Sequence, residues 1–275
     1  MDNSARRNEP VGANQVMNTT NLELFFVVLE VRETMRDIYV LDLHTHTYAS
    51  GHAYNTMNEM ALAAKEKGLE LLGITDHAPA MTGSASLLHF LNLKVARREK
   101  YGLPLMLGTE VNVMDDTGKL DLPDSVLAEM DVVIASLHIR CIQPGTVEEN
   151  TNAYLGAIRN PHVDIIGHPD DVRYPVDYET IIRAAKQSGV MVELNNSSLS
   201  PMSFRKNARE ADIQILHLCR EYGVPVVVGS DAHTEEDILN FEYADALLQE
   251  VAFPVELIAN TSVEKLNKWL KERAK

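Results

Sequence analysis

The sequence predicts an α/β protein whose parallel strands close into a single barrel. Apolar runs alternate with amphipathic stretches, about seven such runs occur, and no second sheet pattern accompanies them. This alternation is typical of a parallel sheet that is buried on both faces. A chain of 275 residues has the length of one large barrel, or of two modest domains.

The predicted strands are apolar until their last one or two residues, and segments with helical periodicity lie between them. The predicted strands are IYVLDLH (38–44), LELLGITDH (69–77), LPLMLGTEV (103–111), DVVIASLH (131–138), VDIIGHP (163–169), VMVELNNSS (190–198) and VPVVVGSDAH (224–233). The main predicted helices are 55–67, 148–159, 177–188, 208–222 and 236–249.

Composition limits the classes of function. The net charge of −15 opposes binding to the backbone of long nucleic acids. The two cysteines, Cys141 and Cys219, form no CxxC motif, which indicates a reduced, cytoplasmic chain. We therefore expect a small-molecule substrate rather than a long nucleic acid.

The beginning of the chain differs from the rest. Its apolar run LELFFVVLEV (22–31) is short and contains two glutamates, so we expect neither a membrane span nor a signal peptide. The segment MRDIYVLDLH reads as a natural start at Met35. We therefore predict an N-terminal extension over residues 1–34 and a single barrel domain over 35–275.

Each predicted strand ends in a residue type that binds metals or takes part in catalysis. Such residues recur at intervals between 27 residues (168 to 195) and 36 residues (195 to 231), about the length of one βα unit. In a parallel barrel these strand ends converge on one mouth, where active sites lie. The residues are His44, His77, Glu110, His138, His168, Asn195 and Asp231.

The motif HTH strengthens the prediction of a metal site. His44 and His46 share one strand face, and two adjacent imidazoles in a cavity are suited to be neutral ligands of one cation. With Glu110 and Asp231 they form a mixed nitrogen and oxygen set, which favours Zn, Mn or Fe over Ca or Mg. A single histidine at a strand end is usually structural, and we interpret His89, His162 and His217 in that way.

These motifs resemble the PHP (polymerase and histidinol phosphatase) family, and within it the YcdX-type probable phosphatases. The resemblance covers about residues 36–273 and includes DLHTHTYAS, ITDH, GTEVN, SLH, GHP, ELNNSS and GSDAH, in family order. It implies a distorted (βα)₇ TIM-like barrel. It also implies a cytoplasmic hydrolase, with a homo-oligomer, specifically a trimer, as a plausible assembly.

The resemblance further implies three divalent metal ions per chain, with Zn favoured and Mn or Fe as alternatives. One metal would be held by His44, His46, Glu110 and Asp231. Glu110 would bridge to a second metal, held also by His138 and His168. The third metal would be held by His52, His77 and His233.

For function, we predict a metal-dependent phosphatase that hydrolyses a small phosphomonoester through a metal-bound hydroxide. Asp231 and His233 are candidates for protonating the leaving group, with a metal-bound water as an equal candidate. Asp42 and Asp76 are expected to support the ligands from behind. The candidates for substrate binding are Arg205, Lys206, Asn196 and Ser197.

Three alternatives remain open from the sequence. An amidohydrolase also begins with HxH, but it usually carries a lysine on strand four, where this chain has DVVIASLH. A phosphodiesterase or nuclease would have to act on short nucleotides, given the net charge. The third alternative is a non-catalytic regulatory module that binds metal.

Two departures from the family pattern concern the substrate. The segment PDDVRYP after His168 is more acidic than a typical glycine-containing version. Segment 84–100 lacks a tryptophan-rich pattern that some relatives carry. Both affect loops near the expected pocket, so they leave the substrate open without weakening the metal site.

Overall fold

The computed structural model describes residues 38–273, which form a mixed α/β fold built on two largely parallel sheets. The predicted extension at residues 1–34 lies outside the described residues. The strands are β1 (Leu41–Asp42), β2 (Leu71–Ile74), β3 (Glu99–Lys100), β4 (Leu103–Leu107), β5 (Thr109–Asn112), β6 (Val133–Ser136), β7 (Ile165–Ile166), β8 (Met191–Asn195) and β9 (Val226–Gly229).

The first sheet has the order β1-β2-β4-β3 and the second has the order β5-β6-β7-β8-β9. All neighbouring strands are parallel except β3, a two-residue edge strand that pairs antiparallel with β4 and was not predicted. Isolated parallel bridges pair Thr45 with Ala232 and His77 with Glu110, so the two sheets are hydrogen-bonded to each other beyond β1 and β2.

The predicted strand 103–111 is wrong as a single strand, because it divides at Gly108 into β4 and β5, which lie in different sheets. A β-carbon at Gly108 would overlap the carbonyl oxygen of Val132, so a side chain there would prevent the close backbone approach. The Gly108 amide donates to the Ile74 carbonyl at 2.9 Å. The chain thus passes from one sheet to the next at this glycine.

The helices pack an apolar stripe against the sheets, as the periodicity predicted. The predictions at 55–67, 148–159, 177–188 and 208–222 correspond to helices with ends shifted by at most two residues. The helices are α1 (Met57–Glu66), α2 (Leu87–Asn92), α3 (Asp124–Leu127), α4 (Val147–Arg159), α5 (Tyr178–Ser188), α6 (Asn196–Leu199), α7 (Ala208–Tyr222), α8 (Glu242–Glu250) and α9 (Val263–Arg273).

The predicted helix 236–249 is wrong at its beginning. A 3₁₀ turn, Glu235–Asp237, is followed by a non-helical segment before α8 starts at Glu242. In that segment Leu239 adopts a left-handed backbone, with φ of 59°, and donates its amide to Asp42 Oδ2 at 3.0 Å. The side chains of Ile238 and Phe241 are buried, and they enter the core from a loop.

The core surrounds the strands on both faces. Leu41, Leu72, Ile134, Ile165 and Val228 are among the residues with almost no exposure. Within the described residues, no helix is long and apolar enough to cross a membrane. The polar residues at the carboxyl ends of the strands are thus anchored to a buried sheet.

Candidate metal centre

Glu110, on β5, lies at the centre of the polar cluster beyond the strand ends. Its Oε2 is 2.6 Å from His77 Nδ1, and its Oε1 is 3.0 Å from His168 Nε2 and 3.2 Å from His138 Nε2. The Nε2 atom of His44 is 3.4 Å from Oε2. One buried carboxylate is therefore shared by histidines that follow four different strands.

Asp231, which follows β9, supplies the second carboxylate. Its Oδ1 is 3.2 Å from His46 Nε2 and 3.6 Å from His44 Nε2. Its Oδ2 lies 3.4 Å from Arg205 Nη1. Asp231 thus connects the two histidines of the HTH motif to a buried guanidinium group.

His52 and His233 lie at the outer rim of the cluster. Their ring centroids are 4.9 Å apart, and the His52 centroid is also 4.9 Å from that of His77. His52 is exposed, whereas the side chain of His233 is 28% exposed. The structure therefore brings together all nine predicted ligands, with His52 farthest out.

Three overlapping sets of side chains could each hold an ion, since their ligand atoms lie within 4.8 Å of one another. His46 and His77 each belong to two sets. His52 and His168 belong to none, although His168 contacts Glu110. The sets are His44, His46 and Asp231; His77, Glu110 and His138; and His46, His77 and His233.

Hydrogen bonds fix the orientation of the imidazole rings. His44 Nδ1 lies 2.6 Å from Glu193 Oε1, and His233 Nδ1 lies 2.8 Å from the backbone oxygen of Asp231. Both acceptors can only accept, so each Nδ1 carries a proton, and Nε2 is the nitrogen that is left to bind a metal.

His46 is oriented through a hydroxyl group. Ser50 Oγ donates to Asp76 Oδ1 at 2.7 Å, so it accepts from His46 Nδ1 at 3.0 Å. Asp76 also accepts from the Thr47 amide at 2.7 Å, which anchors the turn after β1. Asp76 thus lies behind His46 and is linked to it through Ser50.

Several inward-facing atoms of the cluster have no hydrogen bond to the described residues, although they are fully buried. They are His44 Nε2, His46 Nε2, His77 Nδ1 and Glu110 Oε2, which lie close together without hydrogen-bond geometry, as in the 2.6 Å contact between the last two. Buried polar atoms are normally paired, so a cluster of such lone pairs around one space is the arrangement expected around cations. The residues present therefore fit divalent metal ions.

Burial and charge act against each other in the cluster. Burial would lower the pKa of His44, but Glu193 and Glu110 outweigh it and raise that pKa well above its usual value. Burial would raise the pKa of Glu110, but His138, His77 and His44 hold it well below its usual value. Burial lowers the pKa of His138 to about 4.

Two of the predicted ligands have left-handed backbones. His168 has φ of 28° and Asp231 has φ of 56°. This region is sparsely populated by residues other than glycine, and strain of this kind concentrates at functional sites. The Asp231 backbone also places its carbonyl oxygen against His233 Nδ1.

The predicted substrate-binding residues differ in position. Arg205 is buried beside the cluster, and its Nη1 donates to Ser198 Oγ at 3.0 Å. Lys206 is exposed and its Nζ donates to the Ser203 carbonyl. Asn196 differs from the prediction, since its Oδ1 accepts from two amides at the start of α8.

Ser197 lies partly buried within α6, directly after β8.

Asp42, predicted to support the ligands, acts on the backbone. Its Oδ1 lies 3.4 Å from the amides of His44 and Ser230, so it ties the ends of β1 and β9 together. Burial raises the pKa of Asp42 to about 6.

The sequence analysis missed Glu193. This carboxylate is buried on β8, orients His44, and accepts from the His168 amide at 2.8 Å. A β-carbon at Gly229 would overlap Glu193 Oε1, so glycine leaves room for this side chain. An acidic residue inside the apolar run VMVELNN, two before Asn195 and thus on the same face, could have revealed it.

The three histidines predicted to be structural do not join the metal groups. His217 is exposed and its Nδ1 lies 2.9 Å from Arg220 Nη2. His89 packs edge-on against Phe90, and His162 is partly buried beyond α4.

Comparison with known proteins gives relatives that cover nearly the whole chain. A probable phosphatase of Clostridium novyi (strain NT) is 44% identical over 241 residues, which span 86% of this chain and 96% of the relative. A probable phosphatase of Thermoanaerobacter sp. (strain X514) is 46% identical over 235 residues, spanning 85% and 95%.

Among solved structures, the fold is similar to a histidinol phosphate phosphatase from Lactococcus lactis, solved with zinc, L-histidinol and phosphate. The TM-score is 0.57 and the sequence identity 19%, over 78% of this chain and 95% of that chain. The profile of the PHP domain matches residues 42–197. With this match and with the extent of the close relatives, the chain belongs to the PHP domain family.

Proposed function

We propose that this protein is a metal-dependent phosphatase that hydrolyses a small phosphomonoester. The observation that supports it most is the set of buried, unpaired ligand atoms around Glu110 and Asp231, with Arg205 directly beside them. The relatives described as probable phosphatases support the same activity.

The proposal assigns three divalent ions, with zinc favoured, to the nine predicted ligands. Divalent ions supply Lewis acidity, lower the pKa of bound water and neutralise charge in phosphoester hydrolysis. The protein's part is to hold the donors at fixed positions, which Glu193, Asp76 and the strand ends do. The ligands are His44, His46, His52, His77, Glu110, His138, His168, Asp231 and His233.

Arg205 is proposed to bind a phosphate oxygen of the substrate. Its guanidinium group is held by Ser198 and Asp231, and it lies in a chain with a net charge of −15. A cation fixed at this point attracts the phosphoryl group locally, because guanidinium groups pair well with phosphate. Lys206 and Ser197 lie in the same stretch of chain after β8 as Arg205, and they are proposed to contact the substrate at the edge of the site.

Of the two side chains that are candidates for protonating the leaving group, His233 lies nearer to solvent. It lies at the rim, 28% exposed, whereas the Asp231 side chain is 8% exposed and enclosed by His46 and Arg205. Both side chains are also assigned as metal ligands, so a metal-bound water stays an equal candidate for the proton donor.

The proposal includes the closed (βα)₇ barrel and a homo-oligomeric, trimeric state in the cytoplasm. The bridges Thr45–Ala232 and His77–Glu110 support closure, since one joins the residues after β1 and β9 and the other joins the residue after β2 to β5. Counting β4 and β5 as one interrupted strand gives seven parallel strands. Light scattering of the purified protein measures the assembly.

The test is a phosphoester screen on protein reconstituted with Zn or Mn. We expect phosphate release from small monoesters, abolished in His46→Ala and retained in the matched control His217→Ala, whose imidazole is exposed and remote. Metal content is measured in parallel. A protein that holds its metals but cleaves neither monoesters nor diesters contradicts the proposal, and amide hydrolysis or a regulatory role would then be tested.

A further inference from the structure

A second carboxylate network lies on the side of the cluster that holds His138. His138 Nδ1 is 2.8 Å from Asn112 Oδ1, and the other end of that amide is only 2.7 Å from Asp121 Oδ2. Asn112 is fully buried on β5 and Asp121 follows a short hairpin. The three side chains form a line from the ligand to the edge of the hairpin.

The hydrogen bonds determine which way the Asn112 amide faces. Its Nδ2 donates to Asp121 Oδ2 and to the Ala78 carbonyl at 3.2 Å, and both of these groups accept. Its Oδ1 must therefore face His138, so it accepts a proton from Nδ1. His138 is then left with a free lone pair at Nε2, 3.2 Å from Glu110 Oε1.

Asp121 is itself held at three points. It accepts from the Asn112 amide at 2.9 Å, from the Asn112 side chain, and from the Ala80 amide at 2.9 Å. Ala80 lies in the loop that follows His77. One carboxylate thus fixes both the amide behind His138 and the loop that carries a neighbouring ligand.

We infer that Asp121 is a positioning residue for the metal centre, which selects the tautomer of His138 through Asn112. This inference rests on the metal site of the proposed function. A reversed Asn112 amide would present donors to His138, which would then carry its proton on Nε2 and lose its ligand atom. Asp121 opposes that reversal, because the reversed amide would bring two oxygens together.

Residues that hydrogen-bond to a metal ligand orient it, and their loss typically weakens metal binding by about 10- to 100-fold. Asp121 acts on His138 only through Asn112. When Asp121 is replaced, the Ala78 carbonyl still favours the same orientation of the Asn112 amide. We therefore expect Asp121→Ala to weaken one of the metal sites by about tenfold, the low end of that range. The other sites should change little.

The experiment titrates metal-free protein with zinc against a chelator, in wild type, Asp121→Ala, Asn112→Ala and the double variant. A relay predicts non-additivity: once Asn112 is replaced, the further loss of Asp121 costs less zinc affinity than it does when Asn112 is present. Nitrogen NMR of labelled histidine reports the tautomer of His138, which should change from Nδ1-protonated to a mixture in Asp121→Ala.

The matched control is Asp115→Ala. Asp115 lies in the same hairpin, and the hydrogen bonds of its carboxylate are with Thr117, whose amide donates at 3.0 Å, and with the Lys119 amide. An equal zinc loss in this control would show that hairpin integrity is responsible, and would overturn the inference. Additive losses or an unchanged His138 tautomer would overturn it as well.

This outcome is separable from the proposed function. Zinc affinity and the histidine tautomer are measured without substrate. If the wild-type protein binds zinc but hydrolyses no phosphoester, the phosphatase proposal fails and the relay is still decided by the titration. If it binds no zinc, both are overturned.

Discussion

The inner and outer parts of the metal centre are built differently. The inner group, His44, His46, Glu110 and Asp231, is almost fully enclosed and contains two carboxylates. The outer group, His52, His77 and His233, supplies imidazoles alone, and two of its members reach solvent.

The supports differ in the same way. Behind the inner group stand the carboxylates of Glu193 and Asp76, whereas the hydrogen bond of His233 Nδ1 is to a backbone oxygen. Carboxylate partners raise the basicity of a histidine ligand, and carboxylate ligands offset the charge of the ion. The proposed metal positions therefore differ in burial and in ligand charge. We expect the ion at the outer group to bind more weakly than the inner ions and to be lost to a chelator first.

The largest expected effect is that of Glu110→Gln. Glu110 contacts ligands from four strands, so neutralising it removes the charge that all of them share. We expect zinc affinity to fall by more than ~100-fold, which exceeds the loss typical of residues that only hydrogen-bond to a ligand. We expect hydrolysis to be lost as well. Inductively coupled plasma analysis after dialysis gives the metal content. Retention of all ions in this variant would refute the central role of Glu110.

Glu193→Gln sharpens the comparison from the inner side. Glutamine cannot accept at both oxygens, so it can serve His44 Nδ1 or the His168 amide, but not both. We expect zinc affinity at the inner group to fall by about tenfold, with the outer site unchanged. The exposed Glu179→Gln is the matched control. Equal losses at the inner and outer groups would contradict the placement of Glu193 behind the inner ligands.

His52→Ala tests the outer side. His52 is exposed and stacks on His77 and His233 without contact to a carboxylate ligand. We expect the stoichiometry to fall from three ions to two, while the affinity of the inner ions changes by less than about twofold, as for independent sites. Chelator titration monitors both, with His217→Ala as control. Loss of the inner ions would show that the two groups are not separable.

The smallest effect concerns the turn that carries His52. That turn ends at a capping box between Thr56 and Glu59, and α4 begins with an equivalent box between Thr146 and Glu149. We expect Thr56→Ala and Thr146→Ala to lower the melting temperature to a similar extent. Only Thr56→Ala should weaken outer-ion binding, by about two- to threefold, because the cap fixes the end of the His52 turn. Equal effects on the ion would contradict this link.

The same boxes give a pH dependence. The hydrogen bonds from Thr56 and Thr146 hold the pKa of Glu59 and of Glu149 below its usual value. Their stabilisation is therefore present above the unfolded carboxyl pKa of about 4.3, and is lost as the pH falls through the lower folded value. Thermal melts between neutral and acidic pH should show the difference between wild type and Thr56→Ala shrinking toward the acidic end.

Much of the site could be predicted because its residues follow the strand period. His44, His77, His138 and His168 each come at the end of an apolar run, and parallel topology brings such ends together. How these residues group around individual ions could not be predicted, since His46 and His77 each belong to two of the three sets. That sharing depends on side-chain distances of a few ångströms.

The supporting residues were predicted only in part. Asp76 is adjacent to the ligand His77 in the sequence, and the sequence analysis named it. Glu193 lies 149 residues from His44, which it orients (44 to 193), and Asp121 lies 17 residues from His138 (121 to 138). A carboxylate within an apolar strand or after a hairpin has no spacing that announces its partner. Only the packed structure brings the two together.

The sequence by itself determined the class of fold, the family and the metal-binding character of one end of the strands. Those properties follow from hydrophobic period and from residue type, which are local. The tertiary structure alone decided that Gly108 divides one predicted strand between two sheets, that Asn196 caps α8, and that the inner ligands are enclosed while His52 is not. Burial, charge compensation and tautomer depend on neighbours distant in the chain, and these exist only once the protein has folded.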